Sequence, residues 1–377
     1  MTTYDMDHKM IANITLEKMI RAQERGCRTV LVVDDLNFYV ARQGVERLQK
    51  AGGVVIKNNP FTLAWRHISN GEYQKFFNRN HQKVMLVDSH VFCGSLNVAD
   101  PYSGVRYGDS SFRDLNILVR DQEAKDVRSF FMEILSQNEE QLPEPMQGQA
   151  LLKVFSDLDE KFAAKHASTQ ESNVDFKFLE ERPPSKTEVT DHILHLVRSA
   201  QSSIRIIQPY VQNIEEVEHE LFEAMDKRGV SVEIITARKR DQPIYQSFLN
   251  ADLFSELMKR GAKIYEEPYK YLHMKAVDID DGRYLTIGSL NQDHCSYYQN
   301  NEANVLLSKK EPNGQVAPEY NQFRKIYNNL LSECRRVHPD ESYSYGGYIE
   351  NKLWRLSLFA TRWVCLNREV GVPRKSE

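Results

Sequence analysis

Residues 81–97 read HQKVMLVDSHVFCGSLN, and residues 273–291 read HMKAVDIDDGRYLTIGSLN. His81, Lys83 and Asp88 keep the spacing of His273, Lys275 and Asp280, and each set runs into Gly-Ser-Leu-Asn, ending on Asn97 and Asn291. One such pattern uses common residue types that chance can assemble. Two copies at matching points of a helix and strand succession are a duplication, which predicts two homologous lobes.

The flanking sequence repeats as well. LEKMIRAQERG carries apolar residues at helical spacing and stops on Gly26, and the valine-rich RTVLVVDD reads as a buried strand. RQGVERLQKAGG and VVIK repeat helix and strand, KVMLVD, VFCGSLN and FRDLNILVRD read as strands, and AKDVRSFFMEILSQN closes the half as a helix. Prolines, glutamines and acids mark a linker. Beyond it VEHELFEAMDKRG, VSVEIITARKRD and FSELMKRGAKIYEE renew the alternation. The expected fold is α/β, with two homologous lobes that each hold a mixed β-sheet flanked by helices and share one active site at their interface. The lobes take residues 1–137 and 173–335, with a linker at 138–172 and an amphipathic C-terminal segment at 336–377.

On an extended strand His81 and Lys83 point to one face, as do His273 and Lys275. About a pseudo-twofold, two imidazoles and two ammonium groups then converge on one cleft, which suits a phosphate. The lysines and the amides of Asn97 and Asn291 can hold its oxygens and stabilise transition-state charge. One imidazole can attack phosphorus, and the other can protonate the leaving oxygen and then deprotonate the second acceptor. Alternation gives Asp88 and Asp280 less claim on phosphorus, and they read as structural partners of nearby backbone or cations. The pattern offers no set of metal ligands and requires neither metal nor cofactor.

Composition narrows the classes. A net charge of -4 and the lack of a basic-aromatic stripe argue against a nucleic-acid partner. Five scattered cysteines without a CxxC pair argue against a disulfide framework or zinc site. No apolar run is long enough to span a bilayer, and the opening MTTYDMDHKM is neither a signal nor a transit peptide.

The duplicated motif resembles that of the phospholipase D superfamily, over nearly the whole chain to about Lys310. Within the superfamily, RNHQKVMLVD, IIQPYVQ, ARKRDQP and LMKRGAKIYEE are similar to the cardiolipin synthase family. His294-Cys295-Ser296 departs from that pattern, which has an arginine-serine pair there. The resemblance implies a phosphohistidine intermediate, with His81 as nucleophile and His273 as acid and base. It places Glu302, in NNEANV, and Asp114, in FRDLNI, as carboxylates that orient the histidines. The implied reaction moves a phosphatidyl group from a phosphatidylglycerol- or CDP-diacylglycerol-type donor to the hydroxyl of phosphatidylglycerol, at a mitochondrial or bacterial inner membrane. The alternatives are phospholipase D-type hydrolysis of phospholipid or nucleic acid, and a catalytically silent lipid-binding scaffold.

Two expectations concern the ends. In YIENKLWRLSLFATRWVCLNREVG, residues Ile349, Leu353, Leu356, Trp363 and Leu366 form one helical stripe flanked by Lys352, Arg355, Arg362 and Arg368, as suits an anionic membrane surface. Aligning Gly26 with Gly229 leaves the first half without counterparts of FKFLEERPP, VTDHILHLVRSAQ and most of SIRIIQPYV. The first lobe is therefore expected to be completed by sequence upstream of Met1, the alternative being an intact chain whose gap is filled by the linker around Leu151 to Phe162 or by a second subunit.

Overall fold

The computed structural model describes residues 1–7, 9–35, 42–58, 78–104, 108, 111–120, 124–163, 174–183, 185–238, 241–242, 253–309 and 318–338. Two mixed sheets form its frame. The first runs β3 (Val54–Asn58), β2 (Val30–Asp34), β1 (Thr2–Thr3), β4 (Val84–Val87), β5 (His90–Gly94), β6 (Asn116–Arg120). The second contains the same order of six: β11 (Lys263–Glu267), β10 (Ser231–Ala237), β9 (Ser203–Gln208), β12 (Ala276–Ile279), β13 (Tyr284–Gly288) and β14 (Glu302–Lys309). It adds β15 (Arg335–Arg336) beyond β11, and β7 (Val174–Arg182) and β8 (Lys186–Thr187) beyond β14. In both sheets the central strand, β1 or β9, pairs parallel on one side and antiparallel on the other.

Helices cover the sheets, which is why the strands read as nearly continuous apolar runs. In the first lobe, α1 (Met10–Glu24) and α2 (Arg42–Lys50) bury Leu16, Ile20, Val45 and Leu48 against Leu31, Val33 and Val55. On the opposite face, α3 (Ala124–Gln137) lays Val127, Phe130, Phe131 and Ile134 over Val84, Val91 and Cys93. The linker contributes α4 (Gln149–Ala163), whose Leu151 and Phe155 join this same cluster.

In the second lobe, α5 (Glu188–Ser199) and α6 (Glu215–Arg228) cover one face through Ile193, Leu196, Val217 and Leu221. Gly229, at φ 67, ends α6 in the left-handed conformation that glycine adopts without strain, and its N–H closes on the Met225 carbonyl. A short α7 (His294–Tyr298) follows the second Gly-Ser-Leu-Asn, and α8 (Pro318–Glu333) packs Tyr320, Phe323 and Tyr327 on the other face. The lobes share apolar contacts: Phe178, Ala303 and Val305 of the second belong to the cluster under α3.

The sequence places the His-x-Lys pair on a strand, but β4 begins at Val84 and β12 at Ala276. The pair lies just ahead of each strand, where the His81 and His273 N–H groups donate to carbonyls of the opposite lobe. The C-terminal amphipathic stripe, from Ile349 to Arg368, lies outside the described residues.

Candidate active site

Two short backbone bridges between the lobes build the site. Arg79 and His81 flank a parallel bridge to Asn301: the His81 N–H donates to the Asn301 carbonyl at 2.9 Å, and the Asn301 N–H to Arg79 at 2.8 Å. The second lobe mirrors this. The His273 N–H donates to the Arg113 carbonyl at 2.8 Å, and the Arg113 N–H to Tyr271 at 2.9 Å. Asn301 precedes Glu302 and Arg113 precedes Asp114, so each bridge sets a histidine beside the next residue's carboxylate.

The pairing is therefore crossed. His81 Nδ1 lies 2.8 Å from both Glu302 oxygens, and His273 Nδ1 lies 3.0 Å from Asp114 Oδ2. With Nδ1 engaged, Nε2 remains for substrate. Serine hydroxyls, two of them from the repeated motif, hold the acids in turn. Ser289 donates to Glu302 at 2.5 Å and Ser296 at 2.7 Å, while Ser95 donates to Asp114, which also accepts the Leu115 N–H at 2.8 Å. The serine hydroxyls leave the buried carboxylates well satisfied, as burial of charge requires.

Lys83 and Lys275 are buried, and each Nζ curls back 2.7 Å to the carbonyl of its own motif's histidine. Burial lowers the Lys83 pKa to about 8 and the Lys275 pKa to about 7, despite the opposing pull of Glu302 and Asp114. Burial also lowers His81 to about 4 and His273 to about 3, and the charges of both lysines bear on both rings. Both imidazoles are thus neutral near pH 7.

Sequence reasoning passed over the aromatic walls. Tyr4 meets the His81 ring edge-on at 5.0 Å and lies under Lys83, whose Nζ is 5.4 Å from its centroid. Tyr102 meets His273 edge-on at 5.1 Å, and Tyr271 stacks on it at 6.3 Å. Only the two serines carried a signal, as the second letter of each repeated Gly-Ser-Leu-Asn. The asparagines differ. Asn97 donates to the Tyr102 hydroxyl at 2.8 Å, whereas the Asn291 Oδ1 is buried without a partner among the described residues.

The motif aspartates stand apart from this cluster. Asp280 accepts backbone N–H bonds from Gln201, Ser202 and Ser203, the shortest 2.7 Å, and holds the entry to β9. Burial raises its pKa, but those bonds more than offset the rise and leave it below the ordinary value. Asp88 has the same backbone, φ 51 against 53, yet is exposed and accepts no hydrogen bond among the described residues. Among those residues no three His, Cys, Asp or Glu side chains cluster as metal ligands.

A family profile described as "Cardiolipin synthase, PLD-like domain" matches residues 193–326, from α5 through His273, Asn291 and Glu302 into α8. That match lies within the second lobe. The chain is 26% identical over 297 residues to a cardiolipin synthase of Geobacillus thermodenitrificans (strain NG80-2), covering 78% of this chain and 53% of that one. It is 26% identical over 307 residues to the cardiolipin synthase of Geobacillus kaustophilus (strain HTA426), covering 81% and 57%. The chain thus spans little more than half the length of these relatives. Its fold is similar to the crystal structure of a phosphatidylserine synthase from Haemophilus influenzae Rd KW20, with a TM-score of 0.68 at 16% identity, over 97% of this chain and 88% of that one.

Proposed function

We propose that this chain is a phosphatidyltransferase of the cardiolipin synthase type, acting through a phosphohistidine. The observation that carries the reading is the crossed pair of buried, neutral imidazoles, each fastened at Nδ1 by the other lobe's carboxylate, beside two buried lysines.

In this reading His81 Nε2 attacks the donor's phosphorus and the phosphorus–oxygen bond to the leaving alcohol breaks. Glu302 stabilises the positive charge left on His81. Lys83, Lys275 and the Asn291 amide hold the non-bridging oxygens. The bound phosphodiester anion raises the pKa of His273, which then donates its proton to the leaving alkoxide. The neutral His273 next takes the proton of the acceptor hydroxyl, whose oxygen displaces His81 from phosphorus. In this reading, supported by the likeness to cardiolipin synthases, the donor is of the phosphatidylglycerol or CDP-diacylglycerol type and the acceptor is a lipid hydroxyl. Lipid substrates require membrane contact, for which the basic amphipathic stripe between Ile349 and Arg368 is the proposed element.

Acid-quenched enzyme incubated with phosphatidylglycerol labelled at phosphorus should retain label on His81. The His81→Ala and His273→Ala variants should each lose on the order of 10²–10⁴-fold in turnover. An adduct retained by His81→Ala and lost in His273→Ala would exchange the two roles. Near-normal turnover in either variant would overturn the shared site, and release of phosphatidic acid alone would make the activity hydrolytic. Removal of the residues after Ser342 should weaken sedimentation with anionic vesicles, and unchanged binding would discard the C-terminal membrane role.

A further inference from the structure

The two halves of the cleft follow one plan but end in different chemistry. Met6 bridges to Val98 and Val211 to Gln292, each just after the repeated asparagine, so Asp5 and Tyr210 occupy matching positions. Arg79 and Tyr271 match in the same way, two residues ahead of each histidine. On the His273 side these two side chains close on each other, because the Tyr210 and Tyr271 hydroxyls share a hydrogen bond. On the His81 side they part. The Arg79 guanidinium pairs with the buried Asp34 at 3.3 Å. The Asp5 carboxylate makes no ion pair and accepts no hydrogen bond among the described residues.

Asp5 is nonetheless fixed at the site by its backbone. Its N–H lies 3.4 Å from Asn97 Oδ1, and its carbonyl accepts the Val98 N–H at 3.1 Å. The residue before it, Tyr4, meets the His81 ring, and Asn97 also donates to the Tyr102 hydroxyl, which stands beside His273. The carboxylate is half-buried, and its charge bears on both Lys83 and Tyr102.

An anion is a poor neighbour for a phosphate, so this carboxylate suits another part of the ligand. A cationic headgroup would meet Lys83, whose charge Asp5 already balances in part. A neutral hydroxyl meets no such opposition, and it gives a carboxylate a charge-assisted hydrogen bond.

We propose that Asp5 is a specificity-determining residue that accepts a hydrogen bond from a second hydroxyl of the acceptor, so that the site favours a polyol headgroup over a simple alcohol. This rests on the transferase reading above. In that reading the reacting hydroxyl gives its proton to His273, whose ring Tyr102 flanks, and Asn97 ties Tyr102 to the backbone of Asp5. The adjoining hydroxyl of the same headgroup is then the one that Asp5 takes.

A competition among soluble acceptors tests this. The chain is given micellar phosphatidylglycerol as donor, with deuterated glycerol, 1-propanol and ethanolamine at equal concentration, and the phosphatidyl products are separated by mass. The unaltered chain should form more deuterated phosphatidylglycerol than phosphatidylpropanol. Asp5→Ala should lower that ratio about tenfold, and Asp5→Asn, which still offers a carbonyl oxygen, about threefold. A ratio near one in the unaltered chain, or an unchanged ratio in Asp5→Ala, would overturn the proposal. So would an equal fall with all three acceptors, which would make the role structural, or a fall confined to ethanolamine, which would assign the carboxylate to an ammonium group. Hydrolysis with no transfer to any acceptor would overturn the transferase reading, and the proposal with it.

Discussion

Burial at Lys83 and Lys275 works against the charged form of each ammonium. Burial brings their pKa values from 10.5 to about 8 and about 7, so between pH 7 and 10.5 the unfolded chain binds more protons than the folded one. Stability from these two groups therefore rises with pH across that window. The histidines act in the same direction lower down: with folded values near 4 and 3 against 6.5, they withdraw stability as pH falls below 6.5. A bound phosphate reverses the balance by favouring the charged lysines. Inorganic phosphate binding at pH 8 should take up protons, read by calorimetry in buffers of different ionisation enthalpy. Lys83→Met with Lys275→Met should reduce the uptake to what His273 takes, and phosphate binding without uptake would contradict lysine pKa values lowered by burial in the free protein.

At the scale of single elements, the repeated Gly-Ser-Leu-Asn has a steric cause. A Cβ on Gly94 would meet the Asn116 Oδ1 at 2.0 Å and the Leu115 carbonyl at 2.4 Å. On Gly288 it would meet the Asn304 Oδ1 at 2.0 Å and the Ala303 carbonyl at 2.5 Å. Those backbone segments follow Asp114 and Glu302 directly, so an added methyl pushes on the carboxylate that fastens a histidine. Gly288→Ala should cost about 1–3 kcal/mol of stability. It should also lower turnover more than KM changes, measured by denaturation and steady-state kinetics. The aspartates separate in the same assay. Asp280→Asn, at a carboxylate receiving three backbone amides, should destabilise the chain by about 1–3 kcal/mol. Asp88→Asn in the 377-residue chain should stay within about 0.5 kcal/mol.

Across the whole molecule the lobes should unfold as one cooperative unit, because the crossed histidine bridges and the apolar cluster beneath α3 both span the boundary. Arg113 strengthens it: its backbone bridges to Leu272, and its guanidinium pairs with the buried Glu267 and with Glu333 of α8. Arg113→Ala strands Glu267 without its partner and should cost about 3 kcal/mol. It should also loosen the His273–Asp114 pair, since Asp114 is its chain neighbour. Calorimetry on this variant should still show one transition at lower temperature. Two separated transitions would mean that the lobes fold independently.

The sequence by itself determined the α/β class, the two-lobed plan and the residues gathered at the cleft, because these rest on local signals. Apolar periodicity marks strands and helices, Gly26 and Gly229 stop helices, and a duplicated motif announces itself by repetition. The identity of Glu302 and Asp114 was legible only through family resemblance. That each serves the other lobe's histidine was decided by the tertiary structure, since Asn301 and Arg113 bridge across more than 150 residues of chain. Alternation along a strand could not place His81 and Lys83, because they precede β4, where the His81 N–H bonds to the opposite lobe. Nor could spacing separate Asp88 from Asp280: the motif letter is the same, and only the packed turn before β9 supplies the amides that one receives and the other lacks.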